Sequence, residues 1–334
     1  MTQSKLYPLK FDPIYQYRIW GGRRLEHWLS KPLPPKDPVG EAWILSDRDD
    51  QPSKVLNGPL KDKTIKDLLE DNPDALMGKY LGMYDRFPLL LKFLDAQKVL
   101  SVQVHPSDDK PQYIPEGEHG KTEAWVVLEP GPEGRIYTGL KPGTNEQKLR
   151  DDLKVHRVAD DLSSFQPKAG EAVFIKAGTV HTLQDLVVFE VQQNSDVTYR
   201  LYDWDRIDEK TGKPRDLQVD EALACIDYSL VDIGPVTPLV DDEERVLRER
   251  IFDSDKFRVW RLTCKSTFMV GEEQAPRILI GISGQGTVET REESFELAKG
   301  EVMLIPASTG PCKFVPINGT VILEVALPEE KIEK

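Results

Sequence analysis

The sequence predicts a mainly β protein made of two related β-barrels with a small α-helical element. Short apolar runs that alternate with polar residues at period two recur between turn residues along most of the chain. A glycine-strand-turn pattern occurs twice, from Gly170 to His181 and from Gly300 to Pro311. Helical spacing is confined to short stretches, and the pair between about residues 60 and 82 reads as an insert beside the strands.

In chain order, Tyr15 to Trp20 alternates, Gly21-Gly22 turns the chain, and Glu41 to Ser46 reads as the next strand. Prolines between Lys31 and Pro38 mark a loop. Thr64 stands where it can cap a helix over Ile65 to Glu70, and Asn72-Pro73 opens a second helix through Tyr80. Strands resume at Pro88 to Leu94 and continue to about Val191. One helix, Thr144 to Leu153, interrupts them, and His156 just beyond it reads as a capping or packing residue. Asp220 to Asp227 is expected to be a helix capped by Asp220. Pro235 to Asp242, proline-containing and acidic, reads as a linker between residues 1–234 and 243–334. Beyond it, Phe257 to Leu262, Arg277 to Gly281, Gly286 to Glu289, Gly300 to Pro306 and Val321 to Ala326 have the spacing of a sandwich or barrel.

The chain has 334 residues, enough for two domains. Its 57 acidic and 44 basic side chains give a formal charge of −13. That charge argues against nucleic acid and anionic membranes as partners, so an anionic ligand would have to be held by local basic groups. Met1 to Pro8 has no apolar leader core, and no run is long enough to span a bilayer. Cys225, Cys264 and Cys312 stand singly in apolar contexts and read as reduced, buried thiols of a cytoplasmic protein. Nothing in the sequence sets the oligomeric state.

The chemistry concentrates between Val99 and Glu123. In an extended strand Ser101, Gln103 and His105 share one face while Val102 and Val104 share the other. Lys121 and Glu123 share a face at the head of the next apolar run. An amide oxygen, an imidazole and a carboxylate together suit zinc, ferrous iron or manganese better than calcium or copper. His181, delivered by the strand and glycine turn that precede it, is the candidate fourth ligand. In the second copy of the pattern Pro311 stands at that position and no histidine follows, so only the first copy can hold a histidine-ligated metal. Spacing alone equally describes a solvent-facing strand and a structural histidine, and leaves metal binding open.

The pattern Gly170 to His181 is similar to the second cupin motif. Together with Ser101 to Pro106, Gly120 to Glu123, Gln193 to Trp204, Trp20-Gly21-Gly22 and Gly40 to Ser46, it resembles type I mannose-6-phosphate isomerase over most of the first 210 residues. The resemblance implies two cupin-type jelly-roll barrels: a catalytic domain, residues 1–234 with the helical insert, and a second domain, residues 243–334, without metal ligands. It implies one zinc ion per chain on Gln103, His105, Glu123 and His181. The implied reaction is an aldose-ketose isomerisation between D-mannose 6-phosphate and D-fructose 6-phosphate through a cis-enediolate. Arg200 matches the family's catalytic arginine, although a surface arginine paired with Asp203 or Asp205 would have the same sequence context. Glu190 and Asp196, at even spacing from Arg200, are candidates to orient it or to shuttle a proton, with a water on the metal as a third candidate base. Ser101 and Lys121 are read as groups that bind the sugar phosphate. Lys176 stands where the family usually has proline, close enough in sequence to hold phosphate or simply to be exposed. Trp20, Trp43 and Glu41 are read as packing and loop-fixing residues, and His27 and His119 are given no role. Two other readings are a cupin oxygenase or sugar-phosphate epimerase, and a non-catalytic sugar-phosphate sensor.

Overall fold

A computed structural model describes residues 6–242 and 246–329. Met1 to Lys5, and the expected domain boundary at residue 243, fall on positions outside those described.

Among the described residues the chain forms two nine-stranded antiparallel sheets and a two-stranded one. The first sheet runs Ala172–Ile175, Glu123–Leu140, His181–Gln193, Leu89–Ala96, Val39–Leu45, Ile14–Gly22, with Val102–Val104, Tyr199–Tyr202 and Leu162–Phe165 attached off that path. The second runs Leu9–Lys10, Val302–Ile305, Arg277–Glu289, Cys312–Ala326, Arg258–Cys264, Val246–Asp253, Leu239–Asp242, with Phe268–Val270 and Ser294–Ala298 on the far halves of its longest strands. The mainly β expectation holds. Each sheet curls because its long strands pair with different neighbours at their two ends, across bulges such as Gln184/Leu186 and Gly281/Ser283. No ladder closes either sheet into a ring among the described residues.

Several boundaries differ from the sequence expectation. Arg277–Glu289 is one strand instead of two, since the glycines between mark a bulge where the chain bends without leaving the sheet. A Cβ on Gly281 would lie 2.1 Å from the Ala298 carbonyl oxygen, so only glycine fits there. Within the expected linker, Leu239–Asp242 pairs with Val246–Asp253 as an edge strand. The helix Val219–Cys225 has Gln218 at its N-cap, and Asp220 lies in the first turn, where its charge suits the helix dipole. Gln218 N–H donates to Arg200 O at 2.9 Å, which starts the helix just before Asp220. The helix expected over Thr144 to Leu153 is Glu146–Lys154, capped by the Asn145 side chain and ending one residue past the expected end. Thr64 and Asp67 do form a reciprocal capping box on Ile65–Asp71, at 3.0 and 2.7 Å.

The internal repeat is geometric as well as textual. Gly170 and Gly300 both have left-handed φ, +85° and +79°. Gly170 N–H donates to Val127 O and Gly300 N–H to Gly281 O, at 2.8 and 2.9 Å. Thr179 N–H donates to Lys176 O and Thr309 N–H to Pro306 O, both at 3.0 Å. One substitution separates the copies most sharply. Ile175 is paired with Glu123 in the first, whereas Ile305 is paired with Arg277 in the second. Arg277 is buried, pairs with Glu272 and lies 3.7 Å from the buried Glu324.

The sheets share one core. Phe93, Phe189 and Val191 of the first pack in a single cluster with Phe257, Leu304 and Leu323 of the second, and Phe174 lies 6.0 and 6.1 Å from the rings of Phe252 and Phe257. The N-terminal strand crosses between them, Leu9 pairing with Leu304. No helix among the described residues is long and apolar enough to cross a membrane. Because Leu9 is fully buried in the shared core, Leu9→Ala should destabilise the whole chain by about 3 kcal/mol. Urea unfolding followed by tryptophan fluorescence and by circular dichroism should show both probes shifting together.

Candidate metal centre and active site

Cross-strand register builds the site. His181 pairs with Gln103, and Gln103 pairs with Arg200 on the next strand. Residues directly opposite in antiparallel strands share a face, so these three side chains form one row. Trp43, Lys92, Glu190 and Trp125 form a second row across four neighbouring strands. Glu123, two residues before Trp125, lies on the same face.

His105, Glu123 and His181 are buried, with ligand atoms all within 4.8 Å of one another. His105 Nε2 lies 3.3 Å from Glu123 Oε2, and His181 Nε2 lies 3.2 Å from Glu123 Oε1. The other ring nitrogens face carbonyls, His105 Nδ1 at 2.8 Å from Val197 O and His181 Nδ1 at 2.9 Å from Thr179 O. A carbonyl only accepts, so each Nδ1 carries the proton and each Nε2 presents a lone pair. Burial and the neighbouring Lys121 ammonium push the His105 pKa down to about 3, which keeps the imidazole neutral. Burial opposes the charge of Glu123, but its surroundings, the Lys121 ammonium 3.5 Å away among them, hold its carboxyl well below the usual range. His105 Nε2 and Glu123 Oε2 are buried without a hydrogen-bond partner. Gln103 Nε2 is 3.3 Å from His181 Nε2, and Ser101 Oγ donates to Gln103 Oε1 at 3.2 Å. Turning that amide by half a rotation presents its oxygen to the cluster and lets Ser101 Oγ accept instead. Two neutral imidazoles, one carboxylate and one amide oxygen fit a borderline divalent cation.

Beside the cluster, one buried ammonium serves two buried carboxylates. Lys92 Nζ lies 3.8 Å from Glu41 and 3.6 Å from Glu190, and 5.1 Å over the Trp43 ring. Burial would strip the Lys92 proton, but Glu190 and Glu41 hold it and raise its pKa. Glu41 has further partners: Arg18 contacts both its oxygens at 2.9 and 3.1 Å, and the Trp43 indole donates at 2.6 Å. Against the penalty of burial, these bring its pKa down to about 2. Glu190 has no such set of donors: burial outweighs the Lys92 and Lys121 ammoniums, the nearby Glu123 and Glu41 charges add to it, and its pKa is pushed up to about 7. Two carboxyls on one ammonium are thus driven apart.

Both rows open on a cavity of about 360 Å³. Arg18, Lys92, Lys121, Arg200 and Arg215 supply cationic groups to its wall, and Glu41, Glu123, Glu190, Asp196 and Asp208 supply the acidic ones. On a chain of formal charge −13 this is a local balance, and a bound divalent cation would tip it positive.

Of the residues singled out from sequence, Gln103, Lys121, Glu123, Glu190, Asp196 and Arg200 reach the cavity wall. His105 and His181 lie against Glu123 at its edge. Ser101 does not line it, and Lys121 lies 3.5 Å from Glu123. Glu190 and Asp196 face Arg200 although they do not share an extended run, because the strand His181–Gln193 ends between them. Arg200 is not paired with a surface acid: its Nε is buried without a partner, and burial and the neighbouring Arg215 lower its pKa. Lys176 is exposed and away from the wall. His156 pairs with Asp205, His119 with Asp85, and His27 is exposed. Trp20 lines the cavity, and Glu41 and Trp43 anchor the second row, beyond the packing expected of them. Sequence reasoning missed Lys92, Arg18 and Arg215. A single lysine inside Leu89-Leu90-Leu91-Lys92-Phe93-Leu94 was the available signal; Arg215, in a loop, gave none.

Curled sheets with a His-Glu-His cluster at a strand mouth define a cupin-type protein with a cluster that could hold a metal ion. Comparison with known proteins narrows this. Residues 8–123 match the model of the phosphomannose isomerase type I catalytic domain, and residues 251–325 that of the mannose-6-phosphate isomerase cupin domain. The chain is 34% identical to a mannose-6-phosphate isomerase of Bacillus subtilis, covering 92% of this chain and 95% of that one. It is 30% identical to the Streptococcus mutans mannose-6-phosphate isomerase, covering 90% and 92%. The crystal structure of a B. subtilis mannose 6-phosphate isomerase superposes with a TM-score of 0.86 at 29% identity, over 96% of this chain and 99% of that one. The chain belongs to the type I mannose-6-phosphate isomerase family.

Trp43→Phe tests the second row. It removes the indole donor to Glu41 and should cost about 2 kcal/mol at neutral pH. Because the folded pKa of Glu41 is depressed, the lost stabilisation exists above the unfolded value of 4.5 and fades as pH falls towards about 2. Denaturation of both proteins across that range should show the difference shrinking on acidification.

Proposed function

We propose that this chain interconverts D-mannose 6-phosphate and D-fructose 6-phosphate. The observation that carries this is a buried His-Glu-His cluster opening, in one cavity, beside a carboxyl whose pKa is about 7. Family membership and the names of the relatives support the substrate. Gln103, His105, Glu123 and His181 would hold one zinc ion per chain. Bound there, zinc supplies Lewis-acid polarisation of the sugar oxygens without redox chemistry.

Moving a carbonyl from C1 to C2 requires a base that takes the C2 proton and an acid that returns it to C1. Glu190 fits both, since its carboxylate and carboxylic acid are of comparable population near neutral pH. Deprotonation leaves a cis-enediolate, whose negative charge faces the Arg200 guanidinium and the Lys92 ammonium across the cavity. Asp196, exposed at the rim, orients Arg200 better than it serves as base. Lys121, Arg18 and Arg215 supply the charged donors on the wall that would hold a phosphate dianion. Ser101 acts on Gln103 through its hydroxyl instead of touching the phosphate. The ligand-bearing residues all lie in the proposed catalytic domain, residues 1–234; residues 243–334 make the proposed second cupin barrel, without metal ligands.

A coupled assay for fructose 6-phosphate formation should lose its signal on chelation and regain it with zinc; full activity in metal-free protein would refute the proposal. Glu190→Gln should reduce kcat about 10³-fold with metal content unchanged. In the parent enzyme kcat should rise with pH and reach half its maximum near pH 7, because only the deprotonated carboxylate can accept the C2 proton.

A further inference from the structure

Asp108 lies three residues beyond His105, and its carboxylate joins three parts of the chain. Oδ1 accepts from Gly120 N–H at 2.7 Å. Oδ2 accepts from Gln193 Nε2 at 3.0 Å and faces Lys256 Nζ at 2.8 Å. Gln193 carries the connection inward, its Oε1 accepting from Thr122 N–H at 2.9 Å and its backbone N–H donating to Thr122 O at 3.1 Å. Thr122 sits between Lys121 and Glu123, so this set of bonds clamps the carboxylate-bearing strand to the loop that follows His105. The approach is tight: a Cβ on Gly120 would lie 2.6 Å from Asp108 N.

Lys256 comes from the other sheet, in the turn between Val246–Asp253 and Arg258–Cys264. The Ser254 hydroxyl accepts from Lys256 N–H and Phe257 N–H at 3.2 and 3.1 Å, and Phe257 is fully buried in the shared core. The ammonium therefore stands on a fixed base.

We infer that Lys256 is a positioning residue for the metal centre: by neutralising Asp108 it keeps that carboxylate against Gly120 and Gln193, and so fixes Glu123 relative to His105. The C-terminal sheet thereby acts on a centre to which it contributes no ligand. Burial opposes the charge of Asp108, yet Lys256, Gln193 and Gly120 together hold its carboxyl below the ordinary range. Residues that orient ligands from behind typically change metal affinity ten- to a hundredfold when altered, whereas a partly exposed ion pair by itself contributes little to stability.

This inference rests on reading His105, Glu123 and His181 as metal ligands, and the test separates the two. Metal-stripped full-length protein is titrated with cobalt(II), its visible absorption reporting binding, and thermal unfolding is followed in parallel. Lys256→Met should weaken cobalt binding about tenfold with little change in Tm, and Lys256→Arg should restore it. Asp108→Asn should weaken binding as well, and Lys256→Met should add nothing in that background. Equal affinity in Lys256→Met and the parent would overturn the inference. So would an affinity loss that follows a fall in Tm and is not rescued by arginine. A parent protein that takes up no cobalt would overturn the metal reading itself, before any variant is compared.

Discussion

Side chains alternate strictly along a strand, so the pairing of His181 with Gln103 and of Gln103 with Arg200 decides which groups meet. A slip of one residue in the strand Val102–Val104 would turn Gln103 into the apolar layer and bring Val102 and Val104 to the cavity. The apolar partners of that strand resist the slip. Val102 and Val104 pack with Leu140, Val180 and Leu201 in their own cluster, so burying them and presenting Gln103 are one event. Each functional row is in this sense held in place by the apolar residues that alternate with it.

The same sheet solves a harder problem in burying charge. Lys92 and Glu190 come from neighbouring strands and are almost wholly buried, and isolated burial of either ion would be prohibitive. The solution is uneven. Glu41 is surrounded by donors and stays ionised, while Glu190 accepts no such set of hydrogen bonds and sits between its two protonation states near neutrality. The two carboxyls are driven apart by the donors around one and the neighbouring negative charges around the other.

Much of this was legible in the sequence because it depends on local spacing. Ser101, Gln103 and His105 share a face by period two, and so do Lys121 and Glu123. The glycine at 170 and the turn at Gly178 foreshadow where His181 begins its strand. What stayed hidden depends on register between distant strands. Nothing near Lys92 says that Glu41 and Glu190 will flank it, and Arg18 and Arg215 join the wall from segments almost 200 residues apart. The strand at Leu239–Asp242 was obscured because its acidic, proline-preceded composition suits an exposed edge as well as it suits a linker. The Asp220 cap failed for a tertiary reason, the hydrogen bond from Gln218 to Arg200.

The repeat has a consequence for how the two halves keep their charge. In the first copy the carboxylate at Glu123 faces His105, His181 and Lys121, and any cation added to that cluster would come from solution. In the second, Arg277 stands at the matching position and answers Glu272 and Glu324 with a cation welded to the backbone. The charge balance of that half is covalent and independent of any ion in solution, and a common core joins it to the half that carries the His-Glu-His cluster.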